Sequence, residues 1–305
     1  MFLRFGLVAT VLALIIGCGK QTPSGTAEIG TEGNPIKMAM VPSLDTQKLI
    51  TSGHKLVELL EKQTGLKYEV SVPTSYTAVV TAMGAGNVDV GWLPPIPYVI
   101  AHDKYGVEVV LTTVRNNSAK YWSFIIARTD SGINKLADLK GKRFAYGDPL
   151  STSGAIYPKH LIRTSGCDPE TFFSNVIYAG AHDRVVIAVY NKQVDAGAIY
   201  GGVGTDAREM VVKIIPDVMS KTRVIAKSMA IPNDTVSVRK GLPRAVVRKI
   251  ADGLIALAKS KQGRKTIFDL YGIDGFIPAR DKDYDSVRRV AAAESIKLEQ
   301  IDKKK

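Results

Sequence analysis

Short apolar runs alternate with longer amphipathic stretches along the chain from residue 36 onward. The clearest helical pattern lies in 46–64, where apolar residues recur three or four positions apart and Gly65 follows. Helices are predicted at 46–64, 76–85, 96–105, 136–142, 153–165, 183–190, 204–210, 243–260, 262–271 and from 283 onward. Strands are predicted at 36–41, 68–72, 88–93, 107–114, 122–127, 143–146, 175–178, 196–199, 211–215 and 224–231. This alternation indicates an α/β protein with mostly parallel connections.

The alternation restarts after residue 121, which indicates two α/β units. The chain crosses between them near 115–128 and returns near 223–232. We therefore expect one lobe from 36–120 plus 230–305 and a second lobe from 121–229. A chain of 305 residues is long enough for two such cores. A ligand would lie between the lobes, where strand ends and helix starts meet.

The first 17 residues resemble a bacterial lipoprotein signal. They carry one charged residue, Arg4, followed by an apolar run at 5–16 that is too short to span a bilayer. The run ends in Leu-Ile-Ile-Gly-Cys, so Cys18 is the expected site of lipidation, with an uncleaved anchor as the alternative. Residues 18–35 are rich in Gly, Thr, Ser, Glu and Pro, and we expect them to form a flexible tether.

Charge and cysteine content exclude several kinds of protein. The formal net charge is +12, but the basic residues are spread along helices, and we expect no nucleic-acid partner for an exported chain. If Cys18 carries lipid, Cys167 is the one remaining cysteine and no internal disulfide can form. No metal-ligand spacing is present, and neither a metal nor a cofactor is expected.

Three hydroxyl residues in a row, Ser151, Thr152 and Ser153, follow a predicted strand and begin a predicted helix. The first turn of a helix has free backbone N–H groups and a partial positive charge, so added hydroxyl donors favour an oxyanion. The alternative is an ordinary helix cap. One hydroxyl is enough for a cap, and three in succession therefore favour a ligand.

Several segments, taken in order, resemble one family. They are 40–45, 75–80, 88–93, 138–142, 148–154, 182–183 and 194–198. They are similar to the phosphate-, phosphite- and phosphonate-binding proteins of ABC importers. The resemblance implies a type II periplasmic binding-protein fold, in which two α/β lobes are joined by a two-strand hinge and the ligand lies in the cleft.

The resemblance also implies roles for particular positions. The expected ligand-binding residues are Tyr76, Tyr121, Ser151, Thr152, Ser153, Gly154 and His182. Tyrosine hydroxyls and a histidine N–H are donors that suit an anion. Each position has a structural alternative: Tyr76 as an amphipathic helix residue, Tyr121 as the start of a buried strand, and His182 as a cap. Trp92 is expected in the core because it lies inside an apolar strand.

The sequence departs from the family's amine-binding members in one respect. No acidic residue appears after the predicted strand 196–199 until Asp206, and Ala181 precedes His182. A buried ammonium without a carboxylate would cost several kcal/mol. We therefore expect a ligand without an amine, namely phosphate, phosphite, hypophosphite or methylphosphonate.

The expected function is a lipid-anchored, monomeric receptor that captures a small phosphorus oxyanion and delivers it to an ABC permease in the membrane. It is not expected to be an enzyme, since nothing in the sequence would activate Cys167 as a nucleophile. Receptors for a sulfonate, a thiamine precursor or a metal remain alternatives, as does a sensor that reports to a kinase.

Overall fold

The computed structural model describes residues 27–296; the predicted signal segment and Cys18 lie outside them. The helices are α1 (Thr46–Thr64), α2 (Tyr76–Gly84), α3 (Pro95–Tyr105), α4 (Tyr157–Thr164), α5 (His182–Tyr190), α6 (Val218–Lys221), α7 (Arg244–Lys259), α8 (Lys261–Tyr271) and α9 (Asp285–Ala293). The strands are β1 (Ile36–Met40), β2 (Tyr68–Ser71), β3 (Val90–Leu93), β4 (Glu108–Val114), β5 (Lys120–Arg128), β6 (Arg143–Tyr146), β7 (Asn175–Tyr178), β8 (Ala196–Gly201), β9 (Thr222–Lys227), β10 (Ile231–Pro232), β11 (Thr235–Val238) and β12 (Gly275–Pro278). Within 27–296, no helix has the length and apolar character to cross a membrane.

Two six-stranded sheets divide the described chain into two α/β lobes. The first sheet has the order β12-β4-β11-β3-β1-β2 and defines lobe 1, and the second has the order β10-β5-β8-β6-β7, with β9 also paired to β5, and defines lobe 2. Both sheets are mixed. β1 runs parallel to β2 and β3, and β6 runs parallel to β7 and β8. In contrast, β11, β12 and β5 pair with all their neighbours in antiparallel fashion, which corrects the expectation of mostly parallel connections.

Local signals define the longest helix. Asp45 accepts a hydrogen bond from the backbone N–H of Lys48 at 2.8 Å and caps the start of α1. Gly65 adopts φ +70° and ends the helix in the left-handed conformation that glycine tolerates best. The buried face of α1 carries Leu49, Leu56 and Leu60, and this face packs on β2, α7 and α8.

One predicted strand is wrong, and two observed strands were missed. Residues 211–215 form turns, in which the N–H groups of Ile214 and Ile215 both bond to the carbonyl of Val211. Of these apolar residues, Val211 is buried in a core cluster of lobe 2, whereas Ile214 is exposed. The missed strands β11 and β12 have four residues each, and both are held in the sheet by antiparallel pairing with β4, which no local pattern shows.

Two crossing segments form the hinge between the lobes. One joins β4 to β5 and the other joins β10 to β11. The fully buried Asn233 ties them together, because its side-chain Nδ2 donates to the carbonyls of Thr113 (3.0 Å) and Ser118 (2.9 Å). Arg115 and Asp234 form an ion pair across the same point at 2.8 Å. These bonds fix where the two lobes pivot.

Apolar packing also joins the lobes. One buried cluster combines residues of α2 and α3 with residues of β5, β6 and α4. At the far end of the chain, α9 contacts α3 of lobe 1 and α4 of lobe 2. Glu294, just after α9, binds His160 and Arg163 of α4 at 3.1 and 3.2 Å. The two lobes are therefore in contact on several sides.

The first described residues differ from the expected flexible tether. The N–H of Gly30 donates to the carbonyl of Asn34, and the carbonyl of Gly30 accepts from Lys67. Thr31 and Asn34 form an isolated bridge. Residues 30–34 are thus a turn held against the start of β2, because their backbone groups find partners on lobe 1.

Candidate functional site

A cavity of about 60 Å³ lies between the two lobes. A cavity of this size can hold a few water molecules or one small ligand. Both lobes supply its walls. The lining residues are Val41, Ser43, Leu44, Tyr76, Trp92, Pro94, Arg115, Lys120, Tyr121, Ser151, Ser153, His182, Tyr200, Gly202, Thr205, Asp234, Tyr271 and Ile273.

Ser151, Thr152 and Ser153 (the hydroxyl turn) lie at an unusual helix start. Residues Thr152–Ile156 make one π-helical turn before α4 begins, with the N–H of Ile156 bonded to the carbonyl of Ser151 at 3.0 Å. Ser151 Oγ accepts the N–H of Gly154 at 3.0 Å and caps the turn. Single π turns recur at functional sites, and here the wider turn brings hydroxyls and backbone to the cavity edge.

The four residues predicted in this turn have different positions. Ser151 and Ser153 line the cavity, whereas Thr152 and Gly154 do not. Thr152 Oγ1 faces lobe 1 instead, where it accepts the N–H of Ile96 at 2.9 Å. Gly154 lies behind the site with its N–H committed to Ser151. A Cβ there would approach Ser151 Oγ to 2.8 Å and His182 Cε1 to 3.0 Å, so glycine is required by close packing.

Both predicted tyrosines line the cavity from opposite sides. Tyr76 begins α2 in lobe 1 and Tyr121 lies in β5 of lobe 2; both are buried. Burial raises the pKa of each phenol well above 10, and nearby carboxylates raise it further. Both hydroxyls therefore stay protonated and can donate to an anion.

His182 begins α5 and lines the cavity with a neutral ring. Burial lowers the pKa of His182 to about 4. Its Nδ1 accepts the backbone N–H of Tyr200 at 3.3 Å, and a neutral imidazole has one proton, which therefore resides on Nε2. The ring of Tyr200 meets it edge-on at 5.2 Å. His182 is thus a fixed neutral donor.

Three helices, α2, α3 and α5, begin at the interface between the lobes, and each donates its first N–H across it. Tyr76 N–H donates to Asp148 Oδ2 (3.3 Å), Ile96 N–H to Thr152 Oγ1 (2.9 Å) and His182 N–H to the carbonyl of Ser43 (3.0 Å). Helix starts carry partial positive charge. The three helix starts therefore place positive electrostatic potential around the cavity. Their backbone N–H groups also hydrogen-bond one lobe to the other.

Sequence reasoning missed the acidic group of the cavity. Asp234 lines it from the hinge, and Arg115, another lining residue, holds its Oδ2 at 2.8 Å. Asp206, the acid noted in the sequence, instead forms a buried pair with Arg208 at 2.7 Å. Residues 115 and 234 are far apart in sequence, so no local pattern could have indicated the pair.

Trp92 also lines the cavity, although the sequence placed it in the core. The indole is 3% exposed and packs against Phe276 and Tyr271. It is therefore both a core residue and a wall of the site. The buried position follows from its apolar strand, whereas the contact with the cavity depends on how the lobes close.

The described residues offer no group of three or more His, Cys, Asp and Glu side chains that could hold a metal ion. Cys167 is a half-buried free thiol and is not a lining residue of the cavity. The hydrogen-bond donors that line the cavity are serine and tyrosine hydroxyls and the His182 ring, together with the cationic side chains of Arg115 and Lys120.

Two mixed α/β lobes, a two-segment hinge and a cavity between the lobes define a type II periplasmic binding protein. The family model for the periplasmic substrate-binding proteins of phosphonate ABC transporters matches residues 38–284. The chain belongs to this family of transporter substrate-binding proteins.

Individual relatives agree with this family. The chain is 31% identical to the phosphate-import protein PhnD of Mycolicibacterium smegmatis, over 92% of each protein. It is 28% identical to the phosphonates-binding periplasmic protein of Escherichia coli, over 84% of this chain and 75% of that protein. Among solved structures, a binding protein of an ABC phosphonate transporter from Pseudomonas aeruginosa superposes with a TM-score of 0.76, at 25% identity and 88% coverage of each chain.

Proposed function

We propose that this protein is the lipid-anchored receptor of an ABC importer and captures a small phosphorus oxyanion that carries no amine. The candidates are phosphate, phosphite, hypophosphite and methylphosphonate. Capture occurs by closure of the lobes about the hinge, so that donors from both lobes meet on one anion. The closed receptor then presents the ligand to its permease.

The donor set of the cavity carries this proposal. Tyr76, Tyr121, Ser151, Ser153 and His182 all offer neutral O–H or N–H groups at one small cavity. Neutral donors and helix starts bind tetrahedral oxyanions without a net positive side chain. The relatives support the ligand class, since one is a phosphate-import protein and another a phosphonates-binding protein.

The acidic group of the cavity supports the exclusion of an amine. Asp234 is paired with Arg115, and a carboxylate neutralised in this way gives little net attraction to an ammonium. An ammonium in the cavity would also face the Arg115 charge. The size of the cavity, about 60 Å³, further favours ligands with a short substituent or none on phosphorus.

A thermal-shift panel on the purified protein tests the proposal. The panel contains phosphate, phosphite, hypophosphite, methylphosphonate, 2-aminoethylphosphonate and sulfate. A ligand at about 100 times its Kd adds roughly 2.7 kcal/mol, which should raise Tm by several degrees. We expect shifts with one or more amine-free phosphorus oxyanions and none with sulfate. Preference for 2-aminoethylphosphonate, or no shift at all, would contradict the proposal.

The lipid anchor has a separate test at Cys18, which lies in the lipobox-like sequence. The wild-type protein should sediment with membranes, and Cys18→Ser should move it to the soluble envelope fraction. Cys167→Ser is the matched control and should leave the protein with the membranes. Membrane retention of the Cys18→Ser variant would mean that another feature anchors the chain.

A further inference from the structure

The indole of Trp92 carries a buried polar atom that the fold does not satisfy. Trp92 lies in β3 between β1 and β11, and its ring meets Phe276 edge-on at 5.7 Å and Tyr271 at 6.1 Å. Among the described residues, no acceptor reaches its Nε1–H. The same side chain is a wall of the cavity between the lobes.

An unpaired buried donor is costly and calls for a partner. Leaving such a group unsatisfied costs about 1–3 kcal/mol, and buried Trp N–H groups usually find an acceptor. The aromatic neighbours Phe276 and Tyr271 fix the plane of the ring. A phenylalanine at position 92 would keep apolar packing without the donor, so packing alone does not account for an indole.

We propose that the Nε1–H of Trp92 donates a hydrogen bond to an oxygen of the bound oxyanion and is a ligand-specificity determinant on lobe 1. This inference rests on the proposed function. An indole N–H can donate but cannot accept, so the ligand atom that it meets must be an acceptor. Trp92 therefore favours an oxygen over an apolar substituent at its position, and an unprotonated oxygen, which is the stronger acceptor, over the oxygen of a P–OH group.

The chain contains two tryptophans, which supplies a matched control. Trp122 is not a lining residue of the cavity, and Lys227 Nζ lies 3.7 Å from its ring centre. Titration calorimetry with inorganic phosphate and with methylphosphonate would compare Trp92→Phe, Trp122→Phe and wild type. Since a hydrogen bond to a charged group is worth ~1.5–3 kcal/mol, Trp92→Phe should weaken binding by roughly 10- to 150-fold. Trp122→Phe should bind as wild type does.

A spectroscopic measurement covers the case in which Trp92→Phe does not fold. Protein labelled with ¹⁵N-tryptophan gives two indole signals, and Trp122→Phe assigns the one from Trp92. Saturating ligand should move the Trp92 N–H proton downfield and slow its exchange with water. A Trp92 signal that is unchanged on binding would overturn the inference in that case.

The outcomes separate the two proposals. If a folded Trp92→Phe variant keeps its Kd within about twofold of wild type, the inference about Trp92 is wrong and the proposed function stands. If wild type binds none of the phosphorus oxyanions, the proposed function fails first. A loss of affinity confined to Trp92→Phe, with a normal melting transition before ligand is added, supports the donor role.

Discussion

The two lobes contribute to the cavity in different ways. Lobe 2 is preassembled, because Ser151 is fixed by the N–H of Gly154 and His182 by the N–H of Tyr200, both within the same lobe. Lobe 1 presents Tyr76 at the start of a helix and Trp92 with an unsatisfied N–H. On the proposed function, we therefore expect lobe 2 to bind the anion first and lobe 1 to complete the site as the lobes close.

The largest expected effect is a loss of ligand affinity when hydroxyl donors of lobe 2 are removed. Ser151→Ala with Ser153→Ala removes two hydroxyl donors, each worth ~1.5–3 kcal/mol to a charged ligand. Together they should weaken binding by roughly 10²- to 10⁴-fold, measured by calorimetry with the ligand that the thermal panel identifies.

The control for this pair is Ser131→Ala. Ser131 is also in lobe 2, but its hydroxyl donates to the carbonyl of Arg128 away from the cavity, and affinity should be unchanged. If the double variant binds within about tenfold of wild type, lobe 2 does not hold the anion through its hydroxyl turn, and the contrast between the lobes fails.

The next effect concerns the pH dependence of the ligand-free protein. An unfolded histidine titrates near 6.5, whereas burial lowers the pKa of His182 to about 4 in the folded state. At pH values between these two pKa values, the unfolded chain binds a proton at His182 that the folded chain does not bind. The free energy of unfolding should therefore fall as pH drops from about 6.5 to 4, by roughly 3–4 kcal/mol at most.

Denaturant unfolding across pH 4–8 measures this slope. His182→Asn keeps an acceptor near the Nδ1 position and should flatten the curve over this range. The same substitution at the exposed His54 of α1, His54→Asn, provides the matched control. An equal slope in His182→Asn and wild type would show that His182 is not buried neutral.

The smallest effect is on the closure itself. Thr152→Val keeps the shape of the side chain but removes the acceptor for the N–H of Ile96, so the closed state should lose ~1–2 kcal/mol and ligand should leave roughly tenfold faster. Stopped-flow dissociation tests this, with Thr129→Val as the control, because Thr129 donates to carbonyls near the end of α6, away from the interface. Unchanged dissociation would mean that Thr152 does not act as a latch between the lobes.

Much of the fold could be predicted from local sequence signals. The bounds of α1 agree with the prediction because the cap Asp45, an apolar stripe and Gly65 are all local. The strands at 143–146 and 175–178 also agree with their predicted bounds. The segment 211–215 was predicted wrongly because an apolar run of that length fits a turn buried on one side as well as a strand.

Part of the candidate site could also be predicted from local sequence signals. The hydroxyl turn is visible in sequence because its members are adjacent, and Ser151 and Ser153 do line the cavity. Thr152 has the same chemistry but a side chain that faces Ile96. Which hydroxyl meets the ligand and which meets the other lobe depends on the π turn, and that turn has no sequence signature of its own.

By itself, the sequence determined the two α/β units, the run of three hydroxyl residues and the family, since each depends on residues that are neighbours in the chain. Only the tertiary structure decided that Trp92 lines the cavity, that Asp234 enters it from the hinge, and that Arg115 neutralises Asp234. The physical reason is that secondary structure and caps follow from short-range patterning. A cavity, by contrast, is lined by side chains that are distant in the sequence and come together only when the two lobes pack. The periodicity of apolar residues along the chain carries no information about such contacts.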